Sequence, residues 1–134
     1  MSTIDTIEGL SHRQATKLRK ARVRTTEALL KTGATRRGRR ELAAASDLPE
    51  RSILGWVNRA DLMRVQGVGE EYSDLLEAAG VDTIKELRRR NPRNLLGTMI
   101  EVNKKKRLVR RLPTEGMVER WVDQAKSLDP IVKY

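Results

Sequence analysis

The stretch Val65-Gln66-Gly67-Val68-Gly69-Glu70 decides the fold. It reads apolar, polar, Gly, apolar, Gly, and then opens a helix. Leu62 precedes it, and Tyr72, Leu75, Leu76 and Ala79 follow at the spacing of one helix face. Gly80 is placed to end that helix, since the position after a helix commonly needs a positive φ. Asp82 or Thr83 then caps a further helix. The two glycines allow a sharp turn, and the free N–H groups of the turn and helix start suit an anion such as a phosphate.

Working upstream, Ile7-Glu8-Gly9-Leu10-Ser11 and a helix over His12 to Ala21 align with that stretch at an offset of 58 residues. Ile7 falls on Val65, Gly9 on Gly67, Leu10 on Val68, Leu18 on Leu76, Val23 on Val81, Thr25 on Thr83 and Leu29 on Leu87. Ser11 replaces the second glycine and remains a good N-cap, while Arg22 replaces Gly80. Such self-similarity reads as an internal repeat. It extends to two helices that each start at a proline: Leu48-Pro49…Trp56-Val57-Asn58-Arg59-Ala60 parallels Leu112-Pro113…Trp121-Val122-Asp123-Gln124-Ala125. A short helix over Ile4 to Ile7, one from Thr25 or Thr26 to Gly33, one within Glu41 to Ala45, and one after Asn91-Pro92 complete the pattern. Asp61 is expected to cap a short helix leading into the central turn. The run Lys104 to Arg111 is compatible with helix or loop.

The run from Leu62 to Leu87 resembles the helix-hairpin-helix motif: apolar-x-Gly-Val-Gly, small Ser73, Leu76, then Ala-Gly-Val-x-Thr. The whole chain resembles an uncharacterised bacterial family of tandem helix-hairpin-helix proteins, similar to the accessory DNA-binding modules of DNA ligases and repair nucleases. The resemblance implies contact with nucleic-acid backbone without sequence readout, and it allows a monovalent cation on hairpin carbonyls. One departure is that some three helices intervene between the hairpins, where compact tandem modules use one connector. The expected fold is all-α, a SAM-like helical bundle of about eight to ten short helices in two repeats of about 60 residues. Repeat one spans residues 1–59 and repeat two residues 60–134, packed as one compact unit.

The 134 residues carry a net charge of +10 and no Cys. That excludes a disulfide framework and thiolate metal sites, suits a reducing cytoplasm, and favours polyanionic partners. No apolar run approaches the ~20 residues of a membrane span, and the N-terminus shows no signal peptide. The charge is patterned: residues 1–40 carry net +8, residues 41–80 net −5 and residues 81–134 net +7. Hairpin one is followed by His12, Arg13, Lys17, Arg19, Lys20, Arg22 and Arg24. Hairpin two (Gly67, Val68, Gly69) is followed by Glu70, Glu71, Asp74 and Glu77. Carboxylates beside a phosphate repel it, so the copy with the better glycines has the worse electrostatics.

Phosphate contacts are therefore expected at Gly9, Leu10, Ser11, His12 and Arg13, with Lys17 and Lys20. Two further basic runs are Arg36, Arg37, Arg39 and Arg40, and Lys104, Lys105, Lys106 and Arg107. Each run alone could equally be a solvated face. Trp56, Trp121 and Tyr72 lie on apolar helix faces and are expected in the core rather than as stacking platforms. His12 is the only histidine. No P-loop, dinucleotide fingerprint, catalytic constellation or metal site is visible, so no enzyme and no small-molecule substrate are expected. The rival reading is a protein-interaction adaptor, in which the acidic second repeat meets a basic partner.

Overall fold

The computed structural model describes residues 3–7 and 9–134. Met1, Ser2 and Glu8, which belong to the N-terminal and first-hairpin readings above, lie outside them. Among the described residues the protein is all-helical, with eight α-helices and no strand beyond one isolated bridge, Thr3 to Thr25. The chain divides into two compact units: Met1–Asp61 together with Ile131–Tyr134, and Leu62–Pro130.

The first unit opens with a 3-10 turn, Ile4–Thr6, followed by α1 (His12–Lys20), α2 (Thr26–Thr32), α3 (Arg36–Ser46) and α4 (Glu50–Leu62). Side-chain caps fix the helix starts. Ser11 Oγ accepts from Gln14 N–H at 3.2 Å, and Gln14 Oε1 accepts from Ser11 N–H at 2.9 Å, a reciprocal capping box. Thr25 and Thr35 cap α2 and α3 one way, each hydroxyl oxygen accepting from an N–H three residues on. Ile4, Leu18, Leu29, Ile53 and Val57 fill the interior and are fully buried.

Two expectations change here. The Thr35 cap starts α3 at Arg36, so the basic run forms the first turn of a helix rather than a lead-in to one. No separate helix starts at Asp61: α4 continues through it to Leu62, and Asp61 is buried.

The second unit contains α5 (Glu70–Ala78), α6 (Ile84–Leu87), α7 (Pro92–Lys106) and α8 (Glu115–Ser127). Asn91 caps α7 ahead of a first-turn proline, where the missing N–H costs nothing. Thr83 and Thr114 cap α6 and α8. The core gathers Leu75, Leu76, Val81, Ile84, Leu87, Leu95, Met99, Val118 and Trp121. The undecided run resolves into both states. Lys104 to Lys106 finish α7, and Arg107 turns left-handed at φ 50°. The loop beyond is held by the Asn103 amide, which bonds both N–H and C=O of Val109 at 3.0 and 3.1 Å.

The repeat is reproduced bond for bond in the backbone. Leu10 N–H to Ile7 O (3.2 Å) corresponds to Val68 N–H to Val65 O (3.0 Å). Val23 N–H to Leu18 O corresponds to Val81 N–H to Leu76 O, both 2.9 Å. Gly9 and Gly67 sit at φ +84° and +94°, a region that costs any Cβ-bearing residue. The same offset pairs Gly80 at φ +93° with Arg22 at φ +69°.

Candidate nucleic-acid interface

The two turns share a backbone and differ in what surrounds it. In the first unit the capping box occupies the N–H groups of Ser11 and Gln14. The N–H groups of His12 and Arg13 have no partner among the described residues. In the second unit the N-cap is Gly69, with no side-chain cap. Its turn is instead gripped from α8: Gln66 N–H donates to Gln124 Oε1 at 2.9 Å, and Gln124 Nε2 donates to Gln66 O at 3.3 Å. The Trp121 indole nitrogen lies 3.2 Å from where a Cβ on Gly67 would stand. In the first unit the residue matching Gln124 is Arg59, whose Nη1 lies 3.7 Å from the corresponding point at Gly9. The helix-to-turn grip was missed in the sequence, although the parallel between the two Trp helices was its signal.

Around the first turn, His12, Arg13 and Lys20 are exposed and Lys17 is half-buried. Arg13, Lys17 and Lys20 lie at i, i+4, i+7 and so form one stripe of α1, while Ala15 and Leu18 bury the opposite face. Lys17 Nζ lies 3.9 Å from the exposed Asp47 carboxylate, a pair worth little against solvent. Arg19 is engaged by Asp5. Gly9 and Ser11 are exposed and Leu10 half-buried.

The second basic run divides. Arg36, Arg37 and Arg40 are exposed, with Arg37 paired to Glu41 at 3.0 Å. Arg39 is a correction. It shares the buried stripe of α3 with Leu42 and Ser46 and is only 3% exposed. Its guanidinium donates to Gly33 O and Lys133 O, each at 2.8 Å, and Lys133 N–H donates to Ala34 O at 2.7 Å. Arg39 therefore fastens the chain's last residues to the first unit, with its guanidinium committed to those two carbonyls. Helices α1 and α3 pack against each other, so the first two basic runs occupy one unit. The third belongs to the second unit, where Lys105, Lys106 and Arg107 are exposed and Lys104 pairs with Glu101 at 3.1 Å.

Carboxylates dominate around the second turn. Glu70 and Glu71 are exposed, and Asp74 and Glu77 half-buried. Asp82, at the end of the following turn, has its pKa raised from 3.8, first by burial of the carboxyl and then by the charges of Glu77 and Glu86. The folded state thus holds this proton more tightly than the unfolded state. Stability falls as pH rises from 3.8 through the raised value, and above it the ionised carboxylate remains a constant cost. The residue as a whole is exposed, so the effect is small. Asp82→Asn is expected to raise Tm by about 1–2 °C at pH 7 and not at all near pH 3, read from paired thermal melts.

Trp56 and Trp121 are buried in the core, and half-buried Tyr72 packs against it with its ring tilted at 52° to that of Trp121, centroids 5.2 Å apart. An open cleft of about 510 Å³ in the first unit is lined by Arg36, Arg39, Glu50, Arg51, Leu54 and Tyr134. Among the described residues no group of His, Cys, Asp and Glu could hold a metal ion, and no helix is long and apolar enough to cross a membrane.

Fold and charge together define an all-helical protein with two equivalent glycine turns, one set among cations and the other among carboxylates. Residues 8–128 match DUF4332, a domain of unknown function, and the chain belongs to that family. No curated protein and no solved structure matches it.

Proposed function

We propose that the protein binds nucleic-acid backbone without reading sequence, through the first glycine turn in the manner of a helix-hairpin-helix. The observation that carries this reading is the Arg13, Lys17, Lys20 stripe on α1, exposed at Arg13 and Lys20 and half-buried at Lys17, which begins beside the helix-start N–H groups of His12 and Arg13. A helix N-terminus already favours anions, and adjacent cations add counterion release. Arg36, Arg37 and Arg40 on the neighbouring α3 extend the same charge, and Lys104 to Arg107 supply a further contact. The second turn is structural in this reading, because Glu70 and Glu71 flank its open helix start. This reading involves no catalytic step.

Binding of a fluorescent DNA duplex, followed by anisotropy across a salt series, tests this. Affinity is expected to fall by about 10²- to 10⁴-fold between 50 and 200 mM salt, for about four to eight phosphate contacts. Affinity should be indifferent to base sequence. Absence of binding at the lowest salt would remove the reading. It would leave the protein-interaction alternative, in which the carboxylates around Glu70, Glu77 and Asp82 meet a basic protein surface.

A further inference from the structure

The turn after the first helix of each repeat offers an internal comparison. At equivalent backbone positions the second unit has Ala78, Gly80 and Asp82, and the first has Lys20, Arg22 and Arg24. In the second unit this turn is closed. Arg90 Nη2 donates to Gly80 O at 3.0 Å, and Arg90 is itself held by Glu86 at 3.2 Å. The residue matching Arg90 in the first unit is Thr32, so that clasp is missing. Lys20, Arg22 and Arg24 are all exposed. Among the described residues no hydrogen bond or ion pair engages their side chains.

Arg22 also bears a left-handed conformation, φ +69°, which its Cβ disfavours. Its N–H still donates to Arg19 O at 2.9 Å, as Gly80 N–H does to Glu77 O at 3.0 Å. The fold therefore needs the left-handed turn at both places, and glycine alone would serve it, as it does at Gly80. Arginine contributes nothing to that turn that glycine lacks. What it adds is an exposed guanidinium, unpaired among the described residues, between two other exposed cations.

We propose that Arg22, with Arg24 beside it, is a second phosphodiester contact of the first unit, beyond the α1 stripe that ends at Lys20 and separate from the Gly9 to Arg13 turn. The inference rests on the nucleic-acid reading above and names a residue that reading did not include. The two contacts sit at opposite ends of α1, about 13 Å apart along nine residues, so they engage different phosphates of one backbone. A planar guanidinium suits a phosphate with two parallel N–H donors.

Arg22→Gly tests it in the full chain, because stability and binding should move in opposite directions. Thermal melts should show an unchanged or higher Tm. Anisotropy with a labelled duplex should show Kd rising about three- to tenfold at low salt, with the slope of log K against log salt reduced by about one. Arg22→Asn, which tolerates the left-handed region without the charge, should match it; Arg22→Lys should keep the slope. Unaltered affinity and slope in Arg22→Gly would overturn the proposal, as would a fall in Tm large enough to explain the lost binding. If the wild type itself fails to bind at low salt, the nucleic-acid reading fails and this contact falls with it. If the wild type binds and Arg22→Gly binds equally well, only the contact is lost.

Discussion

Replacing Arg13, Lys17 and Lys20 together by alanine is expected to weaken duplex binding about 100-fold at moderate salt, with the salt slope falling by two to three units. All three lie on one stripe of α1, pointing away from the core residues Ala15 and Leu18. Each phosphate contact removed returns condensed counterions to the complex, so affinity and salt dependence must fall together. The fold should survive. Lys17 gives up a 3.9 Å pair with the exposed Asp47 carboxylate and a 3.5 Å hydrogen bond to Asp47 O, the other two make no ion pair among the described residues, and alanine is a good helix former. Circular dichroism and a thermal melt on the same sample would verify that. A variant that melts normally but has lost affinity and slope places the contacts on the first repeat. One that binds like the wild type moves the interface to Arg36, Arg37 and Arg40 or to Lys104–Arg107. The charge argument separating the two turns would then be wrong.

The second large effect concerns stability and reverses a rule of helix propensity. Glycine inside a helix costs up to ~1 kcal/mol relative to alanine, so Gly→Ala normally stabilises. Gly38 lies in the first turn of α3, where a Cβ would stand 2.0 Å from the backbone carbonyl oxygen of Thr32 and 3.3 Å from Thr35 Oγ1. That oxygen is the cap that accepts from Gly38 N–H at 3.1 Å. A methyl group cannot occupy that space. Either the end of α2 separates from α3 or the cap breaks. Gly38→Ala is therefore expected to destabilise by about 2–4 kcal/mol, combining overpacking with loss of a cap. In a domain of this size that lowers Tm by roughly 10 °C or more. Gly97, inside α7, is the control. Nothing lies within 4 Å of its would-be Cβ, so Gly97→Ala should stabilise by about 0.5–1 kcal/mol. Chemical denaturation of both variants decides the matter. If Gly38→Ala proves as stable as the wild type, the close approach of α2 and α3 is not as described.

That pair of glycines shows how far the sequence could be read. Both are a glycine in a helix-forming stretch, and local propensity treats them alike. What separates them is a carbonyl six residues away in one case and open solvent in the other. Arg39 illustrates the same limit. In sequence it belongs to a run of four arginines and reads as a phosphate ligand. In the fold it is the one that the α3 helical period turns inward, onto the carbonyls of Gly33 and Lys133. The period was available to find this, but only once Thr35 was known to start the helix at Arg36. The carbonyl of Lys133, 94 residues away, had no local signal.

The sequence by itself determined the helical class, the 58-residue repeat, the glycine turns and most helix starts. These rest on interactions within a few residues: a Ser, Thr or Asn oxygen meeting an N–H three residues on, a glycine at positive φ, an apolar face recurring every turn. It also determined the opposite charges that follow the two glycine turns. Only the tertiary structure decided that Ile131–Tyr134 complete the first unit and that Gln124 grips the second turn. It alone decided that α4 runs on through Asp61. Each of those depends on a partner distant in the chain or on the space a neighbour leaves, and neither distance nor space is written in local spacing.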